Sequence, residues 1–188
     1  MSMKSAVKEH ISNFPITEHF KKHGFLLNGT CDEQFTVYKD GMELRKFSRQ
    51  DLKNCAELYK EVFSNHPWND GWMKRSQVMN YLNELISNPV FMGYVIYQNS
   101  EMVAACLGHS RSWWSGKEFF IDEFFVAAKF QGMGIGALLL EYVENLPEMR
   151  DFNGLNLSTD KTVPAKNFYL KNGFKTRNNR VTMIKKFY

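Results

Sequence analysis

Apolar residues keep helical spacing in three stretches of this chain and gather in short strand-like runs between them. Leu52, Cys55, Tyr59, Val62 and Phe63 share one helical face, and Ser48 with Asp51 three positions later supplies an N-terminal capping pattern. Val78, Tyr81, Leu82, Leu85 and Ile86 form a second stripe that stops at Asn88-Pro89. Ile135, Leu138, Leu139, Tyr142, Val143 and Leu146 form a third, ended by Pro147. Strand patterns cover 34–38 and 42–47 around an Asp40-Gly41 turn, 91–97 and 102–109 around Asn99-Ser100, then 119–127 and 155–160. From residue 42 the predicted order is β-α-α-β-β-β-α-β-α-β-β, with a helix opening at Ala165 and two strands after it. Short helices are expected at 7–12 and 16–22, the second capped by Gly24.

Between the strand at 119–127 and the third helix lies Gln131-Gly132-Met133-Gly134-Ile135-Gly136-Ala137. Glycines there let a ligand approach backbone N–H groups without an intervening Cβ, and the following helix turns its free N–H groups and positive dipole end toward the same point. That combination suits a phosphate or pyrophosphate. A dinucleotide fold fits poorly, because it places this turn early in the chain, whereas only 52 residues follow Gly136. A P-loop is excluded by the lack of Lys-Ser or Lys-Thr after the glycines. A turn with no ligand stays open on spacing alone.

Gln131-x-x-Gly134-x-Gly136 resembles the signature of the GNAT superfamily of acetyl-CoA-dependent N-acetyltransferases, and Ala165-x-x-Phe168-Tyr169-x-Lys171-x-Gly173-Phe174 resembles the family's second block. The likeness covers roughly residues 41–188. It implies an α/β (α+β) fold, a mixed and mostly antiparallel sheet of about six or seven strands with helices on both faces. It also implies an acetyl-CoA cosubstrate whose pyrophosphate sits on the glycine turn. Phe125, Val126, Gln131, Gly132, Met133, Gly134, Ile135, Gly136, Ala137, Thr162 and Phe168 are the implied coenzyme contacts. Thr162 stands where many members carry Asn, so that contact is weakened or lost.

Acetyl transfer by direct attack through a tetrahedral intermediate needs a deprotonated amine. A lysine-like amine of pKa ~10.4 is neutral in roughly one molecule in 2,500 at pH 7, a penalty of about 4.6 kcal/mol. Asp122 and Glu123, on the strand leading to the turn, are the candidate bases, and the family likeness extends to the acidic pair of polyamine acetyltransferases. Regular alternation sends them to opposite faces unless the strand bulges. Resemblance assigns the oxyanion contact to the backbone N–H near Val126, and the coenzyme sulfur to the Tyr169 hydroxyl. Trp68 and Trp72, from the loop at 65–72, and Trp113 are candidate walls for a small organic cation, with Asp70 beside them. Each of these side chains has an ordinary structural reading too: an ion pair for the acids, core packing for the aromatics.

Composition adds limits. With 188 residues, 44% hydrophobic, the chain suffices for one core, and residues 1–40 read as an N-terminal extension packing on an acetyltransferase domain at 41–188. Cys31, Cys55 and Cys106 suggest neither a disulfide framework nor a zinc site, so no metal is expected and a reducing cytoplasm fits. No run approaches the ~18 apolar residues of a membrane span. Net charge is +4, and residues 161–188 hold eight Lys or Arg and no acid, yet no nucleic-acid motif accompanies them. The expected partner is therefore a small-molecule amine, not nucleic acid or membrane. A homodimer is compatible with the sequence but not required by it. An idle acyl-CoA-binding domain and a protein N-acetyltransferase are the competing functions.

Overall fold

Among the described residues seven strands form one sheet in chain order, and what matters for function is how the sixth leaves it. A computed structural model describes residues 15–28, 36–72 and 74–187. The expected helix at 7–12 and the first residues of the expected strand at 34–38 lie outside these. Two compact units are present, dividing after Ser158.

In the first unit, helix α1 (Pro15–Lys22) precedes β1 (Leu26–Asn28), β2 (Thr36–Lys39) and β3 (Met42–Lys46). Asp40 and Gly41 both have positive φ, 51° and 75°, the turn geometry that matches the twist of a two-residue hairpin. Helices α2 (Leu52–Phe63) and α3 (Arg75–Ile86) follow, then β4 (Phe91–Gln98), β5 (Glu101–Trp113), β6 (Gly116–Val126), α4 (Ile135–Glu144) and β7 (Phe152–Leu157). All pairings are antiparallel except β6 with β7.

Helices cover both faces. Against α2 and α3, Val95, Ala105, Leu107 and Phe125 share a core with Cys55, Tyr59, Phe63, Val78 and Leu82. On the opposite face Tyr94 meets Tyr142 of α4 and Phe119 of β6, with ring centroids 6.1 Å apart in each case. Phe20 of α1 reaches the same Tyr142 at 6.0 Å. Every residue of the predicted α2 and α4 stripes is buried. The Arg45 guanidinium of β3 grips Asp51, just before α2, through two 2.8 Å bonds, and the Tyr97 hydroxyl of β4 donates to the same carboxylate at 2.8 Å.

The second unit contains α5 (Ala165–Lys171), where Tyr169 is 9% exposed between the rings of Phe168 and Phe174. The two strands expected after this helix do not form among the described residues. Residues 174–187 have no regular structure, and Val181, Met183, Ile184 and Phe187 are 82–89% exposed. Val181, Met183 and Phe187 keep a period of two, but Ile184 departs from it, Lys185 interrupts the apolar face, and Lys175, Arg177, Arg180 and Lys186 leave few apolar positions to cover a sheet. The last strand of the sheet also begins earlier than expected, at Phe152 instead of Leu155.

Candidate active site

Pairing between β5 and β6 slips at one place. Leu107 faces Glu123 and Gly108 faces Ile121, so Asp122 has no opposite residue. A bulge of this kind adds one residue and inverts the alternation beyond it. Before it, Phe119 points to the α4 face; after it, Phe125 points to the α2–α3 face. Asp122 and Glu123 therefore share the α2–α3 face. Regular alternation would have separated them, and the bulge is the reason it does not.

The two carboxylates then meet different partners. Asp122 Oδ2 lies 2.7 Å from His109 Nδ1, and the His109 ring rests 5.5 Å from that of Phe120. Glu123 Oε1 accepts the Tyr59 hydroxyl at 3.2 Å and the Tyr81 hydroxyl in a shorter bond. No ion pair reaches Glu123 among the described residues. Burial pushes the Glu123 carboxyl from its ordinary 4.5 up to about 7, against the two phenol donors, and the negative charges of Asp122 and Asp70 push the same way. A half-buried carboxylate poised near neutral pH is a proton acceptor matched to the medium. Burial and the neighbouring Glu123 charge also raise the Tyr59 and Tyr81 phenols, so both stay protonated as donors.

Beyond Glu123 the strand runs out of partners on one edge. The β7 register with β6 stops at Ile121 opposite Leu157. On the other edge the Ala127 N–H donates to the Val103 carbonyl at 2.8 Å, and antiparallel alternation turns the Val126 N–H away from β5. A short 3₁₀ turn over Ala128–Phe130 leads to the glycines, and the Gln131 side-chain amide donates back to the Val126 carbonyl at 2.9 Å. Gly132 and Gly134 have φ of 75° and 84°, and a Cβ at either would meet nothing within 4 Å. Backbone conformation thus selects glycine there, and the space above it is open. Gly134 caps α4, so the first N–H groups of that helix, from Ile135, Gly136 and Ala137, face the turn without intrahelical partners. Met133 is 67% exposed beside them, whereas Ile135 and Phe125 are buried in the core. An anionic diphosphate fits this donor set.

Trp72 belongs with Glu123. Its ring lies 5.5 Å from Tyr59 and 5.6 Å from Tyr81, and its indole N–H donates to Asp70 Oδ2 at 3.3 Å. Trp68 stacks on Phe63 at 5.4 Å in the same cluster. Trp113 does not join them. It sits at the tip of the β5–β6 hairpin opposite Gly116, half exposed, with Arg111 over its ring at 5.7 Å. Six residues of strand separate Gly116 from Asp122, about 20 Å at ~3.3 Å per residue. In the second unit, the Thr162 N–H and hydroxyl both donate to Asp160 Oδ1 at 2.7 Å. That carboxyl is held below its ordinary value by the backbone bond first and the hydroxyl second.

Three residues at this site escape a sequence reading: Tyr59 and Tyr81, which look like core positions of their helices, and His109, an isolated histidine in a strand. The phenols carried a usable signal, since a buried tyrosine hydroxyl needs a partner and a strand carboxylate is a natural one.

The sequence model of the acetyltransferase (GNAT) family matches residues 52–174. The chain belongs to this family. It is an N-acetyltransferase by that membership, and the bulged strand and glycine turn lie inside the matched span. No curated protein sequence matches it. Among solved structures, it is similar to a possible acetyltransferase from Clostridium difficile 630, at 15% identity and TM-score 0.67, over 79% of this chain and 100% of that one. An aminoglycoside acetyltransferase from an uncultured soil metagenomic sample, solved with sisomicin, aligns at 15% identity and TM-score 0.63, over 79% and 98%. The aminoglycoside N-acetyltransferase AAC(6')-Iy, solved with CoA, aligns at 14% identity and TM-score 0.61, over 84% and 99%. At these identities the GNAT domain shares their fold. No helix among its described residues is long and apolar enough to cross a membrane.

Proposed function

We propose that this protein transfers an acetyl group from acetyl-CoA to a primary amine of a small cationic molecule, with Glu123 as the base. The observation that carries the reading is a half-buried carboxylate with no cation beside it among the described residues, raised toward neutral pKa by desolvation, at the point where β6 loses its β7 partner. Relatives of the same fold named as aminoglycoside acetyltransferases support an amine-bearing small molecule as acceptor. The chemistry is assigned to residues 41–188, with 1–40 as an accessory segment.

Acetyl-CoA, when bound, supplies an acetyl thioester and a thiolate leaving group. Gly132, Gly134 and the first N–H groups of α4 would hold its pyrophosphate. Glu123 takes the proton from the acceptor ammonium at the site of attack. From a free amine of pKa ~10.4 to a carboxylate of about 7 the transfer stays uphill by about 4.6 kcal/mol, a step that the later, irreversible loss of thiolate draws forward. The Val126 N–H donates to the oxygen that gains negative charge as the amine attacks. Asp122, Asp70 and the rings of Tyr81 and Trp72 attract and orient the cation. Tyr169, by family resemblance, gives a hydrogen bond or proton to the sulfur as the C–S bond breaks. Because a thiol of pKa ~8.5 already leaves well, the gain from a full proton is modest.

An amine panel tests the proposal. With acetyl-CoA saturating, at least one polyamine, amino sugar or amino acid is expected to release thiol well above the hydrolysis rate. Coenzyme binding without turnover on any amine would replace this reading with that of an idle acyl-CoA-binding domain. Turnover on peptides alone would make it a protein acetyltransferase.

A further inference from the structure

Away from the active site, on the opposite face of the sheet, α1 and α4 bring His19, His23 and Glu141 together. One potential ligand atom from each lies within 4.8 Å of those from the other two. His19 and His23 are four residues apart, a spacing that stacks side chains on one helical face, and their rings lie 4.2 Å apart. Two features of the imidazoles go beyond proximity. The His23 Nδ1 sits 2.8 Å from the His19 carbonyl oxygen, which can only accept, so this nitrogen carries the proton and leaves the Nε2 lone pair for a ligand. Histidines that bind metals are oriented by this same kind of bond from the second ring nitrogen to a carbonyl. His19 Nε2, in turn, is buried and has no hydrogen-bond partner among the described residues. Its nearest acid oxygen, Glu141 Oε1, stands 3.8 Å away. That is too long for a hydrogen bond, but close to the edge of about 3.4 Å between ligands in a tetrahedral site with bonds of ~2.05 Å.

We propose that His19, His23 and Glu141 bind a divalent transition-metal ion of the zinc class, which ties α1 to α4. Two imidazoles and one carboxylate select a borderline ion over magnesium or calcium, which prefer all-oxygen shells. Three protein ligands leave the fourth position to water, in keeping with a site that still reaches solvent. An expectation of no metal, drawn from cysteine spacing, does not bear on this site, because its ligands are assembled across two helices 122 residues apart between His19 and Glu141. The ion would act on the seating of α1 against α4, on the face of the sheet opposite Glu123.

Zinc titration of the tag-free full chain against a competing chromophoric chelator tests this. One equivalent of Zn2+ should bind, with affinity falling at least tenfold in His23→Gln and in Glu141→Gln, and unchanged in Lys21→Gln. Zn2+ should also slow amide exchange across residues 18–25 in the parent chain and not in His23→Gln, a readout independent of activity. Absence of uptake, equal affinity in both ligand variants and the parent, or Mg2+ binding as tightly as Zn2+ would each overturn the site. Circular dichroism matching the parent's keeps a loss of affinity from being a loss of fold.

Discussion

Two carboxylates in the first unit, buried Asp51 and half-buried Glu123, both accept tyrosine hydroxyls, yet their proton affinities move in opposite directions. Burial pushes Asp51 upward, but the Arg45 guanidinium, the Ser48 N–H and the Tyr97 hydroxyl together hold it below its ordinary 3.8. Glu123 has Tyr59 and Tyr81 but, among the described residues, no cation, so desolvation wins and the group rises to about 7. The difference teaches how one core separates structure from chemistry. Asp51 is fully compensated and locks β3, β4 and α2 together; Glu123 is left in want of a positive charge, which an acceptor ammonium would bring.

The largest effect should come from Glu123→Gln, which removes the base while keeping volume and one acceptor. At pH 8, kcat/KM on the best amine should fall by about 10² to 10⁴ with acetyl-CoA affinity unchanged. The same variant should be more stable than the parent at pH 8. The folded-state pKa of Glu123 lies above its ordinary 4.5, so the folded state holds the proton more tightly, and stability drains away as pH rises from 4.5 through about 7. Gln escapes that loss, so the Tm gain should shrink at pH 5. Equal destabilisation at both pH values would erase the contrast with Asp51.

Asp51→Ala should do the reverse. It leaves the half-buried Arg45 with Glu43, the Lys46 carbonyl and the Tyr97 ring but without its main counter-charge, and should cost about 3 kcal/mol in urea unfolding, with turnover per folded molecule retained. For Asp51 the sign is opposite: its depressed folded pKa adds stability above pH 3.8 that is lost as pH falls through the folded value.

Smaller effects read the tuning of Glu123 itself. The parent kcat/KM should rise through about pH 7. Tyr81→Phe removes a donor that favours the ionised form, and a hydrogen bond to a charged group of ~1.5–3 kcal/mol corresponds to an upward shift of the profile of about one to two pH units. Asp122→Asn should shift it the other way and by less, since it removes a like charge whose influence ranks below burial and both phenols. Identical pH profiles in all three proteins would mean that some other group limits the rate.

Much of this was legible in the chain. Capping at Ser48, the positive-φ turn at Asp40-Gly41, the helical stripes and the glycine turn before α4 are local features, set by propensity and spacing within a few residues. The acids of β6 were legible as candidates. Their orientation was not, because a bulge depends on how β5 and β6 pair, and no residue type at 122 announces it. Trp113 reads as equivalent to Trp68 and Trp72 by composition, but the length of the β5–β6 hairpin carries it away. At the carboxyl end, apolar residues at 181–187 look strand-like until one asks what face they would cover.

By itself, then, the sequence determined the menu: a candidate anion cradle made by φ-positive glycines and a helix start, a pair of acids just upstream, and stripes that bury α2, α3 and α4 against a sheet. Those are short-range consequences of backbone sterics and hydrophobic period. Only the tertiary structure singled out Glu123 over Asp122 as the proposed base. That choice rests on burial and on partners drawn from afar, Tyr59 and Tyr81 at 64 and 42 residues from Glu123, together with the absence of an arginine such as the one that neutralises Asp51. A pKa is fixed by the dielectric and charges around a group, and those are assembled by the fold.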